Sequence, residues 1–275
     1  GSNLAYMLRG KYVITGWYNS HKVFIPNVNS YKVDIGDKQA VKNSLSDYQP
    51  DIILHCASLT NIDYCEKNKK ETKRVNVEGT ENIASACRNR KTKLVYISTD
   101  AVYDGKKGQY AEDDPVSPCN YYGLTKYEAE DAVKEHKDHI IARTNIFGWN
   151  IQSKHSLAEW ILYSLERGCG INGFKDAIFS SIYTIEFARV MDRMLDKNLI
   201  GTFNLASRTS LSKYEFSKLI AETFKENKAL IRPIGVDDSS FSVKRGKDLS
   251  LNTQKLSKAL GEDMRSIEEC VELFF

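Results

Sequence analysis

The sequence predicts an α/β protein, a doubly wound parallel sheet with helices on both faces, and three observations carry that expectation. Apolar, β-branched runs alternate with helical segments through short connections, a rhythm that favours a parallel sheet covered on both sides. Small or polar residues follow several of these runs: Ala57-Ser58 after Ile52–Cys56, Ser98-Thr99-Asp100 after Leu94–Ile97, and Asn145 after Ile140–Thr144. In open α/β sheets a ligand lies outside these carboxyl ends. From Asn150 onward the rhythm changes to helices with short irregular pieces, so the chain divides into residues 1–149 and a smaller, mainly helical lobe, 150–275, partly interleaved with the sheet.

Taken in order, Gly1 to Leu8 opens a helix, and Lys11–Thr15 reads as a strand followed by the polar stretch Gly16–Lys22. Tyr31–Ile35 is a short strand containing Asp34, and Asp37–Ser46 a short amphipathic helix. Pro50-Asp51 introduces the strand Ile52–Cys56, Thr72–Arg88 is helical, and Leu94–Ile97 is a buried strand. A loop with Pro115 and Pro118 leads to a helix that runs from Tyr122 toward His136, then to the strand Ile140–Thr144. Helices over Leu157–Arg167, Thr184–Asp196 and Leu211–Asn227 and a strand over Gly201–Ala206 complete the pattern.

Composition narrows the function. Over 275 residues, 41% apolar and 27% charged residues are ordinary for a globular chain. The formal charge of +3 is not gathered into a basic block, so neither nucleic acid nor a membrane surface is an expected partner. No apolar run reaches the length of a membrane span and no signal-peptide pattern opens the chain, so a cytoplasmic location is expected. Six cysteines without a Cys-x-x-Cys pair suggest buried or half-buried free thiols rather than a metal or disulfide framework. The five histidines show no ligand spacing, and Glu135-His136 with His139 reads as a wet helix end; no metal is expected.

The chemistry-bearing stretch is Lys93 to Lys126. Tyr122 and Lys126 are four apart at the start of a helix and project from one face. With Thr99 they bring a phenol, an ammonium and a hydroxyl to one crevice. The phenol can transfer a proton, the ammonium can lower the phenol's pKa, and Thr99 can hydrogen-bond a substrate oxygen.

Ser98-Thr99-Asp100-Ala101-Val102-Tyr103-Asp104-Gly105, followed by Pro118-Cys119-Asn120-Tyr121-Tyr122-Gly123-Leu124-Thr125-Lys126, resembles the extended short-chain dehydrogenase/reductases. The likeness is greatest to the dTDP-4-dehydrorhamnose reductase (RmlD-like) branch. It implies a Rossmann-type fold, a nicotinamide cofactor bound by residues 1–149, and a nucleotide-sugar substrate bound by the later lobe. Thr99, Tyr122 and Lys126 would be catalytic, with Tyr122 as general acid. The cofactor would meet Gly1, Asp34, Ile35, Ala57, Ser58, Leu59, Tyr122 and Lys126. Thr60, Asp100, Asn145 and Arg245 would meet the substrate, and Asn76 would support the site. Gly1 is then the third glycine of the family's glycine turn, whose first strand would precede the sequence, unless Gly1-Ser2 is a cloning remnant. After the strand at Lys11–Thr15 no acid is present to repel a 2′-phosphate, while Asn19, Ser20, His21 and Lys22 tolerate one. NADPH is therefore favoured over NADH, with a polar turn free of cofactor as the alternative. Lys244, Arg245 and Lys247 either meet substrate phosphates or form a solvated basic turn. A homodimer is a further expectation.

The chain departs from the rhamnose-type pattern at Ala101 and Ile146, where that branch carries aromatics. Trp149 either replaces such a ring or packs. The sugar therefore stays open, and two other readings stand beside the reductase: an epimerase or dehydratase of the same superfamily, or a non-catalytic regulatory subunit on the same fold. Ala101, where dehydratases carry a second acid, speaks against a dehydratase.

Overall fold

The computed structural model describes residues 1–88, 90–151, 154–239 and 241–275. The chain opens with helix α1 (Ser2–Leu8), then strands β1 (Thr15–Tyr18) and β2 (Asn29–Lys32), helix α2 (Lys38–Tyr48) and strand β3 (Ile52–His55). Helices α3 (Ile62–Lys67) and α4 (Lys69–Lys73) follow, and a π-helical turn over Arg74–Glu78 leads into α5 (Gly79–Cys87). Next come β4 (Lys93–Ile97), α6 (Tyr121–Lys134), β5 (His139–Arg143) and β6 (Ile146–Phe147). The later half runs α7 (Leu157–Glu166), β7 (Ile171–Phe174), β8 (Ile178–Phe179), β9 (Ile182–Tyr183), α8 (Thr184–Asp196), β10 (Gly201–Asn204) and β11 (Leu211–Ser212). It ends with α9 (Lys213–Thr223), β12 (Ile231–Ile234), α10 (Gln254–Leu260) and α11 (Ile267–Phe274).

The main sheet is four-stranded and parallel, in the order β10-β5-β4-β3, so the later half of the chain supplies one of its edge strands. Alternate residues of β4 face opposite sides. Leu94 and Tyr96 pack with Val41, Leu45, Ile83, Ala129 and Val133 from α2, α5 and α6. Val95 packs with the larger cluster that includes Leu4, Leu8, Phe187 and Met191. Burial on both faces explains the unbroken apolar run of this strand. The predicted doubly wound α/β fold is therefore present.

Two strand boundaries differ from the prediction. The first strand is Thr15–Tyr18, not Lys11–Thr15, and it pairs in parallel with Asn29–Lys32, not with a strand over Tyr31–Ile35. Val13 is fully exposed, whereas Trp17 reaches the apolar layer beside α2 and α5. The ladder, not local propensity, sets this register. His136 departs from the wet helix end: it is buried, and its Nε2 lies 2.7 Å from the Thr92 carbonyl oxygen. All six cysteines are free; Cys65, Cys87 and Cys270 are buried, while Cys169 is exposed. Among the described residues no helix is long and apolar enough to cross a membrane.

Candidate active site

Helix α6 starts where it does because Asn120 caps it, its Oδ1 accepting from the Gly123 N–H at 2.9 Å. A Cβ on Gly123 would stand 2.1 Å from the Ala101 carbonyl oxygen, so only glycine lets the first turn of α6 settle on the Asp100–Val102 turn. That contact brings Tyr122 against Thr99 and Asp100 at the end of β4. Thr99 is buried; its Oγ1 accepts from the Ala101 N–H at 3.2 Å and donates to Asp100 Oδ1 at 3.1 Å.

Lys126 is 2% exposed, and its Nζ donates to the Ile97 carbonyl at 2.7 Å and lies 4.0 Å from the centroid of the Tyr96 ring. Burial pulls its pKa down to about 7, against the opposing influence of Glu130 and Cys56. The Tyr122 phenol is pushed above its usual value by burial; the Thr99 hydroxyl favours the charged form, while Asp100 and Cys65 oppose it. Desolvation dominates at the phenol, and the Lys126 ammonium is turned to the Ile97 carbonyl. Asp100 is buried and accepts from Asn145 Nδ2 at 2.9 Å. Burial raises its carboxyl to about 6, with Asn145, Thr99, Lys213 and the Ala101 N–H pulling the other way.

Asn76, in the π-helical turn, ties the loop after β3 to α6. Its Oδ1 accepts from the Leu59 N–H (2.8 Å) and Ser58 Oγ (3.0 Å), and its Nδ2 donates to the Leu59 carbonyl (3.0 Å) and Thr125 Oγ1 (3.2 Å). Ala57 is exposed beside this loop, and Gly1 packs against Cys56 at the end of β3. Thr60 Oγ1 accepts from Lys154 Nζ at 2.8 Å. Asp34 sits just beyond β2, where it accepts from the Gly36 N–H and Arg74 Nη1, both at 2.9 Å; Ile35 is buried against Gly79. Arg245 is drawn to α3: its Nη2 donates to Asp63 Oδ2 at 2.6 Å and its guanidinium stacks on Phe241. Lys247 pairs with Asp176 and Asp237. Trp149 packs, stacked on Phe274 with centroids 4.3 Å apart.

Thr99, Asp100, Asn145 and Tyr122 are thus linked at the ends of β4 and β5, Lys126 meets β4 at Ile97 and Tyr96, and Asn76 ties the Ser58-Leu59 loop to α6, whereas Asp34 and Arg245 belong to neighbouring ion pairs. Sequence reasoning missed the buried cluster beneath them. Glu130 Oε1 accepts from Ser98 Oγ (2.6 Å) and Arg143 Nε (3.0 Å), and Oε2 from Arg143 Nη2 (2.7 Å); Arg143 Nη1 reaches Tyr103 (2.6 Å). The signal was available, since Tyr122, Lys126 and Glu130 repeat at the four-residue spacing of one helix face. Among the described residues no cluster of His, Cys, Asp and Glu is suited to a metal ion.

A Rossmann-type sheet with a threonine at one strand end and Tyr-x-x-x-Lys on the following helix defines the short-chain dehydrogenase/reductase class. Within that class the chain belongs to the RmlD-like family, the "RmlD substrate binding domain" family matching residues 10–275. It is 26% identical to the probable low-salt glycan biosynthesis reductase of Haloferax volcanii over 95% of this chain and 88% of that protein. It is 28% identical to methionine adenosyltransferase 2 subunit beta of Rattus norvegicus over 86% of this chain and 72% of that one. Among solved structures, a hypothetical dTDP-4-dehydrorhamnose reductase from Sulfolobus tokodaii superposes with a TM-score of 0.86 at 27% identity, covering 97% and 94% of the two chains. The dTDP-4-dehydrorhamnose reductase of Bacillus anthracis, in complex with NADP, gives 0.83 at 28% identity, over 90% and 89%.

Proposed function

We propose that this protein is an NAD(P)H-dependent reductase of the 4-keto group of a nucleotide-linked deoxysugar, with residues 150–275 supplying the substrate lobe. The observation that carries the reading is the convergence of Thr99, Tyr122 and Lys126, secured by the close approach of Gly123 to Ala101. The NADP complex of the Bacillus anthracis relative and the reductase description of the Haloferax relative support it.

The residues present fit a dinucleotide. Gly1, the Ala57–Leu59 loop held by Asn76, and the Asp34-Ile35 corner line the carboxyl ends of the strands, and NADPH is the favoured form because exposed Asn19, Ser20, His21 and Lys22 carry no acid. When bound, the cofactor supplies the hydride. Tyr122 donates the proton to the carbonyl oxygen, and Thr99 hydrogen-bonds that oxygen and sets its direction. Lys126 turns from Ile97 to the ribose and to the phenol, which favours the phenolate left after proton transfer. Asp100 and Asn145 bind sugar hydroxyls, and Arg245, released from Asp63, meets the phosphates.

The test follows NADPH absorbance against dTDP-, UDP-, GDP- and CDP-4-keto sugars, with Tyr122→Phe alongside. Oxidation by one sugar class, lowered at least about 100-fold in the variant, is the expected result. A second reading, a regulatory subunit, draws on the likeness to methionine adenosyltransferase 2 subunit beta and on the engagement of Arg245 by Asp63. NADPH binding without turnover on any sugar would favour it.

A further inference from the structure

Among the described residues the lysine at the centre of the site has no carboxylate within ion-pair distance. Glu130, the acid one turn along α6, has its two oxygens taken by Ser98 and Arg143. At the end of β3, Cys56 offers a thiol and His55 a ring that burial holds neutral, far below its ordinary pKa, at about 3. What lies beneath Lys126 Nζ is the face of Tyr96, 4.0 Å from the ammonium and 1% exposed.

That ring is itself fixed. Tyr96 and His55 are direct partners in the parallel ladder of β3 and β4, and their rings lie 5.4 Å apart. His55 Nε2 is 2.9 Å from Thr80 Oγ1, which donates its own proton to the Asn76 carbonyl at 2.7 Å. The neutral imidazole therefore carries its proton on Nε2 and donates it to Thr80. A hydrogen-bonded chain thus runs from the π-helical turn to His55, whose ring packs against the tyrosine.

We propose that Tyr96 is the positioning residue of the site: its ring face, in place of a carboxylate, favours the charged form of Lys126 and directs it at the end of β4. An aromatic face attracts a desolvated cation without binding it in a hydrogen bond, so Lys126 stays able to leave Ile97 for a ribose hydroxyl. A carboxylate in the same place would hold it too firmly for that exchange. The inference rests on Lys126 acting as the reductase reading requires, and it makes Tyr96 act only through Lys126.

The test is the ionisation of Lys126 in the protein without cofactor, followed by the 13Cε chemical shift of labelled lysine and assigned with Lys126→Met. Tyr96→Phe keeps the ring and is expected to titrate like the wild type. Tyr96→Leu is expected to lower the Lys126 pKa by about 0.5–1.5 units. Where Tyr96→Leu does not fold, pentafluorophenylalanine at position 96 keeps the ring's shape and reverses its electrostatic face, and the same fall is expected. If the titration is unchanged by Tyr96→Leu or by the fluorinated ring, or if Tyr96→Phe shifts it as far, the proposal is overturned. The alkaline limb of kcat/KM should move down with the same order of variants. Absence of turnover alone would refute the reductase reading and leave the titration of Lys126 to decide on Tyr96.

Discussion

Replacing Glu130 with glutamine should destabilise this protein more than any exposed ion-pair substitution. Glu130 is 0% exposed and Arg143 3%. In the wild type the carboxylate accepts three hydrogen bonds, two of them from the guanidinium, and the ammonium of Lys134 stands 4.0 Å away. Burial alone would lower the Arg143 pKa; the bonds and charge of Glu130 and the contact with Tyr103 hold it above its ordinary value. The amide of Glu130→Gln keeps one acceptor and turns an NH2 toward the donors, so a buried guanidinium is left without countercharge. Breaking one partner of such a pair costs roughly 3–5 kcal/mol. For a chain of this size that corresponds to a fall in Tm of about 10 °C, at about 2–4 °C per kcal/mol. Urea unfolding of wild type, Glu130→Gln and the apolar pair Glu130→Leu with Arg143→Met would measure it, and the double variant should recover most of the loss. A loss below about 1 kcal/mol in Glu130→Gln, or a double variant as unstable as the single, would refute the assignment of the cost to an uncompensated charge. Because α6 carries Lys126 one turn and Tyr122 two turns before Glu130, the single variant should lose turnover as well as stability.

Gly123→Ala places a methyl 2.1 Å from the Ala101 carbonyl, so α6 must retreat. We expect about 1–3 kcal/mol of destabilisation in denaturant unfolding and loss of NADPH oxidation, and a variant with wild-type kinetics would sink the role given to that contact. The raised carboxyl of Asp100, about 6 in the folded chain against an ordinary 3.8, means that the native state binds more protons than the unfolded chain between these values. Wild-type stability should therefore be greatest below pH 4 with respect to this group and fall by up to roughly 3 kcal/mol as pH rises through 6. Asp100→Asn should lack that fall, so its stability relative to wild type should improve from pH 4 to pH 7.5 in urea titrations. A relative decline over that range would reverse the sign and count against the burial argument.

The core strands and helix α6 were legible in the sequence because their signals are local. Lys93–Ile97 and His139–Arg143 are apolar runs buried as central strands, Ile52–His55 is an apolar run at the sheet's edge, and α6 announces itself through the Tyr122, Lys126 repeat. The first two strands were placed several residues away from their true positions. Their sequences are half-exposed and polar, and their register follows from the pairing of Thr15 with Asn29. His136 looked solvated because its neighbours are charged, yet its ring is turned inward to the Thr92 carbonyl, a partner 44 residues away in the chain.

By itself, then, the sequence determined the α/β class, its core strands and longer helices, and the residue types at the ends of the strands, because hydrophobic periodicity and the spacing of Tyr122 and Lys126 are properties of short segments. Only the tertiary structure decided which partner each charged or polar group takes. Arg143 meets Glu130, Arg245 meets Asp63, Asp34 meets Arg74, and Lys126 meets a carbonyl and the face of Tyr96. These contacts join segments separated in the chain, and burial sets their strength, which no local pattern of residues encodes.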